Sequence, residues 1–260
     1  MIRITDPDDP AIAPFRDIRE RDLRRRDGLF IAEGKVVLNV LFAARRFEIV
    51  SVLILENRLG GMADTLALMP EGVPVHIASQ DILDRIAGFH LHRGILALGR
   101  MRPAEDAAIL LETRPPLVLT LAGIANHDNM GALFRNAAAF GAGAVLLDET
   151  SCDPLYRKAI RVSVGAVLKT PWARCASAAQ MTSLLASSGY DVLALSPQGK
   201  TLLTELVPGP QTAILLGAEG EGLPERLLQN LQTVRIAMRG DLDSLNVAAA
   251  SAIALHHFAR

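Results

Sequence analysis

Residues 241–258 read DLDSLNVAAASAIALHHF. A short polar SLN opens a helix that then runs mostly on alanine-sized side chains. Ser244 or Asn246 can cap it, because a short side-chain oxygen accepts one of the unpaired N–H groups of a first helical turn. Ala248, Ala249, Ala250, Ser251, Ala252 and Ala254 leave room for a close neighbour, whether a helix, a partner subunit or a ligand. Helix packing alone accounts for the alanines. It does not account for what stands just upstream, a strand-like TVRIAM that turns through a Gly- and Asp-containing loop directly into SLN.

The same alternation of strand, loop and helix fills the chain from residue 117 onward. LVLTLAG, AVLLDE, DVLALS and TAILLGAE are further apolar runs, with WARCAS a weaker one. NMGALFRNAAAF, YRKAIRVSVGAVLK and AQMTSLLASSG separate them with apolar residues at helical spacing. Continuous apolar strands between amphipathic helices predict an α/β domain whose mostly parallel sheet is covered on both faces. Ligands of such sheets bind beyond the carboxyl ends of the strands. The informative polar and glycine residues cluster there, in the loops after LVLTLAG, DVLALS, TAILLG and TVRIAM.

A smaller α/β unit precedes it. LFIAEG, EIVSVLIL, VPVHIA and GILALG read as strands, and KVVLNVLFAARR, GGMADTLALM and SQDILDRIAG as helices. Pro103, Pro115 and Pro116 frame a less regular stretch. The expected organisation is a first domain over 1–106, a linker over 107–116 and a second domain over 117–260.

Composition narrows the class. Half of the 260 residues are hydrophobic and the net charge is −1, so disorder is not expected, and a nucleic-acid partner would need a local basic patch. FRDIRERDLRRRDG, residues 15–28, is the dense candidate. A solvated helix face laced with ion pairs explains it, and phosphate contact by Arg24, Arg25 and Arg26 is the sharper reading. No apolar run reaches the roughly 18 residues that cross a bilayer, and MIRITDPDDP does not resemble a signal peptide. Cys152 and Cys175 are too few for a disulfide framework and fit a reducing, cytoplasmic setting. The six histidines form neither HExxH nor a cysteine–histidine set, so no metal is expected. GxGxxG after a first strand, GxxxxGK[ST] and GxSxG are all missing.

Three patches remain. NHDNMGALFRNAAAFG (126–141) follows LVLTLAG, and Arg135 is a permanent cation on an otherwise small-residue helix. Spacing of i,i+4 puts Gly131, Arg135 and Ala139 on one side of it, with Leu133, Phe134 and Ala138 nearer the core. A surface salt bridge would also explain Arg135. LLGAEGEGLP (215–224) ends a strand at a glycine, adds a carboxylate and two more glycines, and opens a helix at Pro224. Such a turn exposes peptide groups that can read the polar edge of an adenine-like ring. IAMRGDLDSLNVAAASAIALHHF (236–258) is the third.

In this order and spacing the three patches resemble the signature motifs of the SpoU/TrmH family of RNA ribose 2'-O-methyltransferases, over roughly residues 117–258. The resemblance implies an S-adenosylmethionine-dependent enzyme with a deep trefoil knot in its C-terminal sheet, acting as a homodimer. Neither composition nor periodicity points to the knot. LFIAEGKVVLNVL resembles part of the substrate-binding domain of many members, similar to a ribosomal protein of the L30e type, which favours ribosomal over transfer RNA. Carried over motif by motif, Arg135, Asn129, Ser244, Asn246 and Glu219 are the catalytic candidates. Leu195, Gly217, Ile236, Leu245 and Asn246 would surround the cofactor, and Arg135 would bind the target phosphate. Two departures stand out: Asn136 occupies a position where threonine is common, and RVSVGAVLKTP supplies Ser163, Gly165 and Ala166 for the family's SxGA patch. Transfer RNA as substrate, methylation of a base, and RNA binding without catalysis are the alternatives.

Overall fold

The computed structural model of the chain describes residues 1–16, 28–87, 94–103, 105–239 and 243–259. Arg24, Arg25 and Arg26 therefore lie outside the described residues. The chain divides into two compact units, one of Met1–Pro103 with Leu155–Lys169, the other of Ala104–Pro154 with Thr170–Arg260. No helix among the described residues is long and apolar enough to cross a membrane.

The first unit is built on β1 (Ile2–Arg3), β2 (Leu29–Glu33), α1 (Lys35–Ala44), β3 (Glu48–Leu55), α2 (Ala63–Ala67), β4 (Val75–Ala78), α3 (Gln80–Ala87) and β5 (Ile95–Arg100). Its sheet runs β1-β4-β3-β5-β2, with β5 antiparallel to both β2 and β3. Ile12, Phe15, Leu53, Leu83 and Leu96 share its buried core. GGMADTLALM, expected as a short helix after a glycine turn, has that form: Gly60 and Gly61 end a 3-10 turn over Glu56–Gly61, and the helix α2 follows.

The second unit carries a seven-stranded sheet, all of whose pairings are parallel. In chain order its elements are α4 (Ala107–Glu112), β6 (Leu117–Leu121), α5 (His127–Ala139), β7 (Ala144–Asp148), then α6 (Arg157–Val162) and α7 (Ala166–Lys169), which belong to the first compact unit. They continue with β8 (Trp172–Cys175), α8 (Ala178–Ser187), β9 (Asp191–Leu195), β10 (Thr201–Leu202), β11 (Thr212–Leu216), α9 (Glu225–Leu228), β12 (Gln232–Arg235) and α10 (Val247–Phe258). Every residue of β6, β7 and β11 is buried, as a sheet covered on both faces requires. Val118, Leu146 and Leu215 pack with Leu111 of α4 and Met181 and Leu185 of α8.

Two expectations are corrected. The span 107–116 is not irregular throughout: Asp106 accepts from the Ala108 N–H and caps α4, which buries Ala107 and Leu111 one turn apart. YRKAIRVSVGAVLK is not one helix. Val164 and Gly165 both take left-handed backbone, φ 53° and 83°, and the Gly165 N–H closes on the Ile160 carbonyl at 3.0 Å. A Cβ on Gly165 would lie 3.1 Å from the Val40 Cβ, so the break brings this backbone tightly onto α1. Ser163 stays buried and donates to the Ile160 carbonyl.

Strand order in the second sheet is β10-β12-β9-β11-β6-β7-β8. β12 comes last in the chain yet pairs between β9 and β10, so the segment 196–200 passes beside it. Ser196 N–H donates to the Val234 carbonyl at 2.9 Å, and the Arg235 guanidinium donates to the carbonyls of Gly199 and Lys200 at 2.7 and 2.8 Å. A Cβ on Gly199 would sit 2.6 Å from the Arg235 nitrogen, closer than any side chain tolerates.

The alanines of α10 have their partner in α5 and β11. Asn136 of α5 donates to the Ala248 carbonyl at 2.8 Å and to the Ser251 hydroxyl at 2.7 Å, and Ser251 is fully buried. Phe140 meets the His256 ring edge-on, 5.6 Å between centroids. Met130, Leu133, Phe134 and Ala137 face the core, while Arg135 and Ala139 are exposed. Gly131, on the Arg135 side by i,i+4 spacing, is nonetheless buried. Asn136→Ala removes both inter-helix bonds and is expected to destabilise the protein by about 1–3 kcal/mol. A lower denaturant midpoint checks this, and an unchanged one would show that packing alone joins α5 to α10.

Candidate functional site

The site lies past the carboxyl ends of β9, β11 and β12, where three loops surround a cavity of about 580 Å³. Leu195, Gly217, Ile236, Leu245 and Asn246, the residues expected around a cofactor, all line it, and so do Glu219 and Ser244. Pro197, Leu228, Met238 and Ala250 add apolar wall that the motifs did not single out. Glu221 and Asp243 join Glu219 among the lining residues, so the cavity borders carry negative charge.

Glycine shapes the β11 loop. A Cβ on Gly217 would lie 2.6 Å from both the Gly222 carbonyl carbon and the Leu223 nitrogen, so only glycine lets the loop fold back on itself. Gly220 and Gly222 take left-handed backbone at φ 94° and 69°, and the Gly222 N–H closes the turn on the Ala218 carbonyl at 3.0 Å.

Asn126 caps α5, accepting from the N–H groups of Asp128 at 2.7 Å and Asn129 at 3.4 Å. Asn246, not Ser244, caps α10, accepting from the Ala248 N–H at 2.8 Å. Between the two caps runs a chain of amides. The Asn246 side-chain N–H donates to the Asn129 Oδ1 at 3.2 Å, and the Asn129 amide in turn donates to the Glu219 carboxylate. One residue from each motif thus joins a single hydrogen-bonded line at the cavity mouth. Arg135 does not line the cavity. It stands exposed on α5, about 1.7 turns beyond Asn129, with no hydrogen bond or ion pair to any other described residue. Among the described residues it makes no surface salt bridge.

Sequence reasoning missed the group behind the first loop. Asp148, at the end of β7 and 6% exposed, accepts from Gly123 N–H at 3.0 Å, Ser151 N–H at 2.9 Å, Ser151 hydroxyl at 2.6 Å and Thr150 hydroxyl at 2.6 Å. Burial opposes ionisation of this carboxyl, but the bonds from Gly123, Ser151 and Thr150 together outweigh it and hold the group below its ordinary value. Arg174 of β8 donates to the carbonyls of Asp148, Ser151 and Cys152 at 2.9–3.0 Å. Burial pushes the Cys152 thiol up to about 11, against the pull of Arg174 and with a further push from Glu219. The DET of AVLLDET followed by Ser151 was the available signal, a carboxylate with hydroxyls two and three residues on, and it reads equally as a plain turn. Among the described residues no cluster of His, Cys, Asp and Glu is arranged to hold a metal ion.

A depressed carboxyl value means that Asp148 stabilises the fold fully above the ordinary 3.8, and that this is lost as pH falls through its lower folded value. Asp148→Asn is therefore expected to flatten the fall in stability below that point. Denaturant midpoints for both proteins across the acid range check this, and parallel curves would refute it.

Comparison with known proteins bears on the same residues. The model of the SpoU rRNA Methylase family matches residues 116–256, which include the first two motifs and all but the last two residues of the third. An uncharacterized tRNA/rRNA methyltransferase of Mycobacterium tuberculosis strain H37Rv is 39% identical over 267 residues, covering 99% of this chain and 91% of the relative. A crystal structure of an RNA 2'-O ribose methyltransferase is 27% identical with a TM-score of 0.78, covering 98% of this chain and 97% of that one. An AdoMet-bound rRNA methyltransferase from Sinorhizobium meliloti has the same fold, TM-score 0.82 at 22% identity, over 98% of this chain and 96% of its own. With two motif loops lining one cavity, the third hydrogen-bonded to both through Asn129, and a family match over more than half its length, this chain belongs to the SpoU rRNA methylase family.

Proposed function

We propose that this protein transfers a methyl group from S-adenosylmethionine to a ribose 2'-hydroxyl of structured RNA, ribosomal RNA before transfer RNA. The observation that carries this reading is the line Glu219–Asn129–Asn246 at the mouth of the cavity. It joins all three family motifs. The names of the relatives support the reaction class.

The cavity fits the cofactor. Its volume lies in the roughly 300–1,000 Å³ range of small-molecule sites, and its lining combines apolar walls with polar and acidic groups. The folded-back turn at Gly217 offers peptide groups to an adenine edge, and the carboxylates of Glu219, Glu221 and Asp243 complement a cationic ligand. When bound there, S-adenosylmethionine supplies a methyl group activated on a sulfonium. The chain's own work is orientation and charge. Leu195, Gly217, Ile236 and Leu245 hold adenosine and the methionine portion, and Asn246 and Ser244 order the loop beside them. Asn129, held by Glu219 and Asn246, orients the ribose. Arg135, free to turn to RNA, takes the target phosphate through its fixed fork and stabilises negative charge developing on the 2'-oxygen. Arginine does not accept the proton at neutral pH, so the hydroxyl proton passes to phosphate or water.

The finer architecture follows the same reading. The second domain, 117–260, is the knotted catalytic one. The close crossing of 196–200 with β12 supports a deep trefoil knot. The first domain, 1–106, is the RNA-binding one, similar to the L30e type in its β2–α1 segment, with Arg24, Arg25 and Arg26 as phosphate contacts. The exposed face of α10, formed by Ala249, His256 and Ile253 (42% exposed), supports a homodimer. Free thiols at Cys152 and Cys175 suit a reducing cytoplasm.

The test incubates purified protein with methyl-labelled S-adenosylmethionine and separate pools of unmodified ribosomal and transfer RNA, then digests and weighs the nucleosides. A labelled 2'-O-methyl nucleoside from the ribosomal pool is expected. Label from the transfer RNA pool alone would replace the substrate, and label on a base would overturn the reaction. Arg135→Ala is expected to lose about 10²–10³ in turnover while keeping its fold, and near-normal turnover would remove Arg135 from this role.

A further inference from the structure

We propose that Asp148 is a positioning residue for methyl transfer, setting how the loop bearing Asn126 and Asn129 meets the loop bearing Glu219. The inference rests on the reading of the site just given. Asp148 and Ser151 are 6% and 5% exposed, so neither touches RNA or cofactor directly; they act through the backbone of Gly123 and Ile124.

Those two N–H groups are consecutive, around a left-handed Gly123 at φ 71°. Successive N–H groups in such a bend form a concavity that binds an anion. Here the anion belongs to the chain itself. Gly123 N–H donates straight to Asp148 Oδ1 at 3.0 Å. Ile124 N–H donates to the Ser151 hydroxyl oxygen at 3.1 Å, and that hydroxyl donates to the same Oδ1 at 2.6 Å. Turning the Ser151 proton toward the carboxylate leaves its lone pairs for Ile124. A return bond from Cys152 N–H to the Ile124 carbonyl, 2.7 Å, closes the two loops together. Thr150 occupies Oδ2, and Arg174 clamps the carbonyls of residues 148, 151 and 152 from the next strand.

The other side of Gly123 faces the second motif. A Cβ there would meet the Ala218 Cβ at 3.2 Å, and Ala218 precedes Glu219. Gly123 is thus held between Asp148 behind and Ala218 in front. Three residues later Asn126 caps α5, and Asn129 reaches Glu219 and Asn246 from its first turn. A small displacement of residues 122–124 moves the start of α5 relative to Glu219. Besides its pH-dependent contribution to stability, the buried carboxylate supplies a fixed direction for four donors at once.

The test compares Asp148→Ala, Ser151→Ala and Ser151→Thr with Leu185→Ala, a core change on α8, outside both loops in the chain. All are made in the full chain and assayed on the RNA that the wild type methylates. Misplacement near the reacting atoms is expected to lower kcat of Asp148→Ala by about 10- to 100-fold with KM for RNA within about threefold, while Leu185→Ala keeps its kcat despite a lower Tm. Ser151→Ala is expected to lose less, and Ser151→Thr, which keeps the hydroxyl, to recover most of that loss. A kcat for Asp148→Ala no lower than that of Leu185→Ala would overturn the proposal. If Asp148→Ala does not fold, equal losses in Ser151→Ala and Ser151→Thr would overturn it. Amide hydrogen exchange provides a readout independent of turnover, in whichever of Asp148→Ala and Ser151→Ala folds. Exchange should quicken over both 122–129 and 217–222, and a change confined to 149–152 would also overturn the proposal. A wild type that methylates no RNA would instead count against the function proposed above, with the exchange result still deciding this one.

Discussion

Two backbone approaches too close for any side chain underlie this site. At Gly199 the chain crosses Arg235, and at Gly217 it lies against Gly222 and Leu223. The first crossing lets β12 pair between β9 and β10, and the second folds the β11 loop back. Together they bring the ends of β9, β11 and β12 around one cavity. A Cβ at either position forces the backbone apart, and the loops would then diverge like ordinary connections in a parallel sheet.

Around that constraint, polar groups are assigned by what each can donate and accept. Amides stand at the junctions between motifs because an amide does both: Asn129 accepts from Asn246 and donates to Glu219, and Asn136 donates to a carbonyl and a hydroxyl of α10. The threonine common at the Asn136 position would bring one hydroxyl where this chain uses two N–H groups. Carboxylate and guanidinium are kept behind the loops, where Asp148 and Arg174 hold backbone groups in fixed directions. Arg135 is left without a partner among the described residues, which suits a group meant for a ligand.

Much of the fold was legible because its signals are local. The apolar runs LVLTLAG, AVLLDE, DVLALS and TAILLGAE are strands that end one to three residues short of the expected ends, and WARC, the weakest, is an edge strand. Elements that depend on a few buried contacts were less so. Helix α4 buries only Ala107 and Leu111 in a proline-framed stretch. The break at Val164 places a β-branched residue at positive φ, which no propensity predicts and which the tight seat of Gly165 on Val40 explains.

Legible along the chain were the alternation of strands and helices, the three loops with their special chemistry, and seven residues that line one cavity. Residue type and spacing report those directly. Strand order, the placement of β12 inside β10, the choice of Asn246 over Ser244 as cap, and the anchoring of Gly123 by Asp148 were decided only by the tertiary structure. Each joins groups through contacts whose partners are set by how the chain crosses itself, or turns on a backbone geometry that several side chains could satisfy equally. A pattern read along the chain carries no record of those crossings.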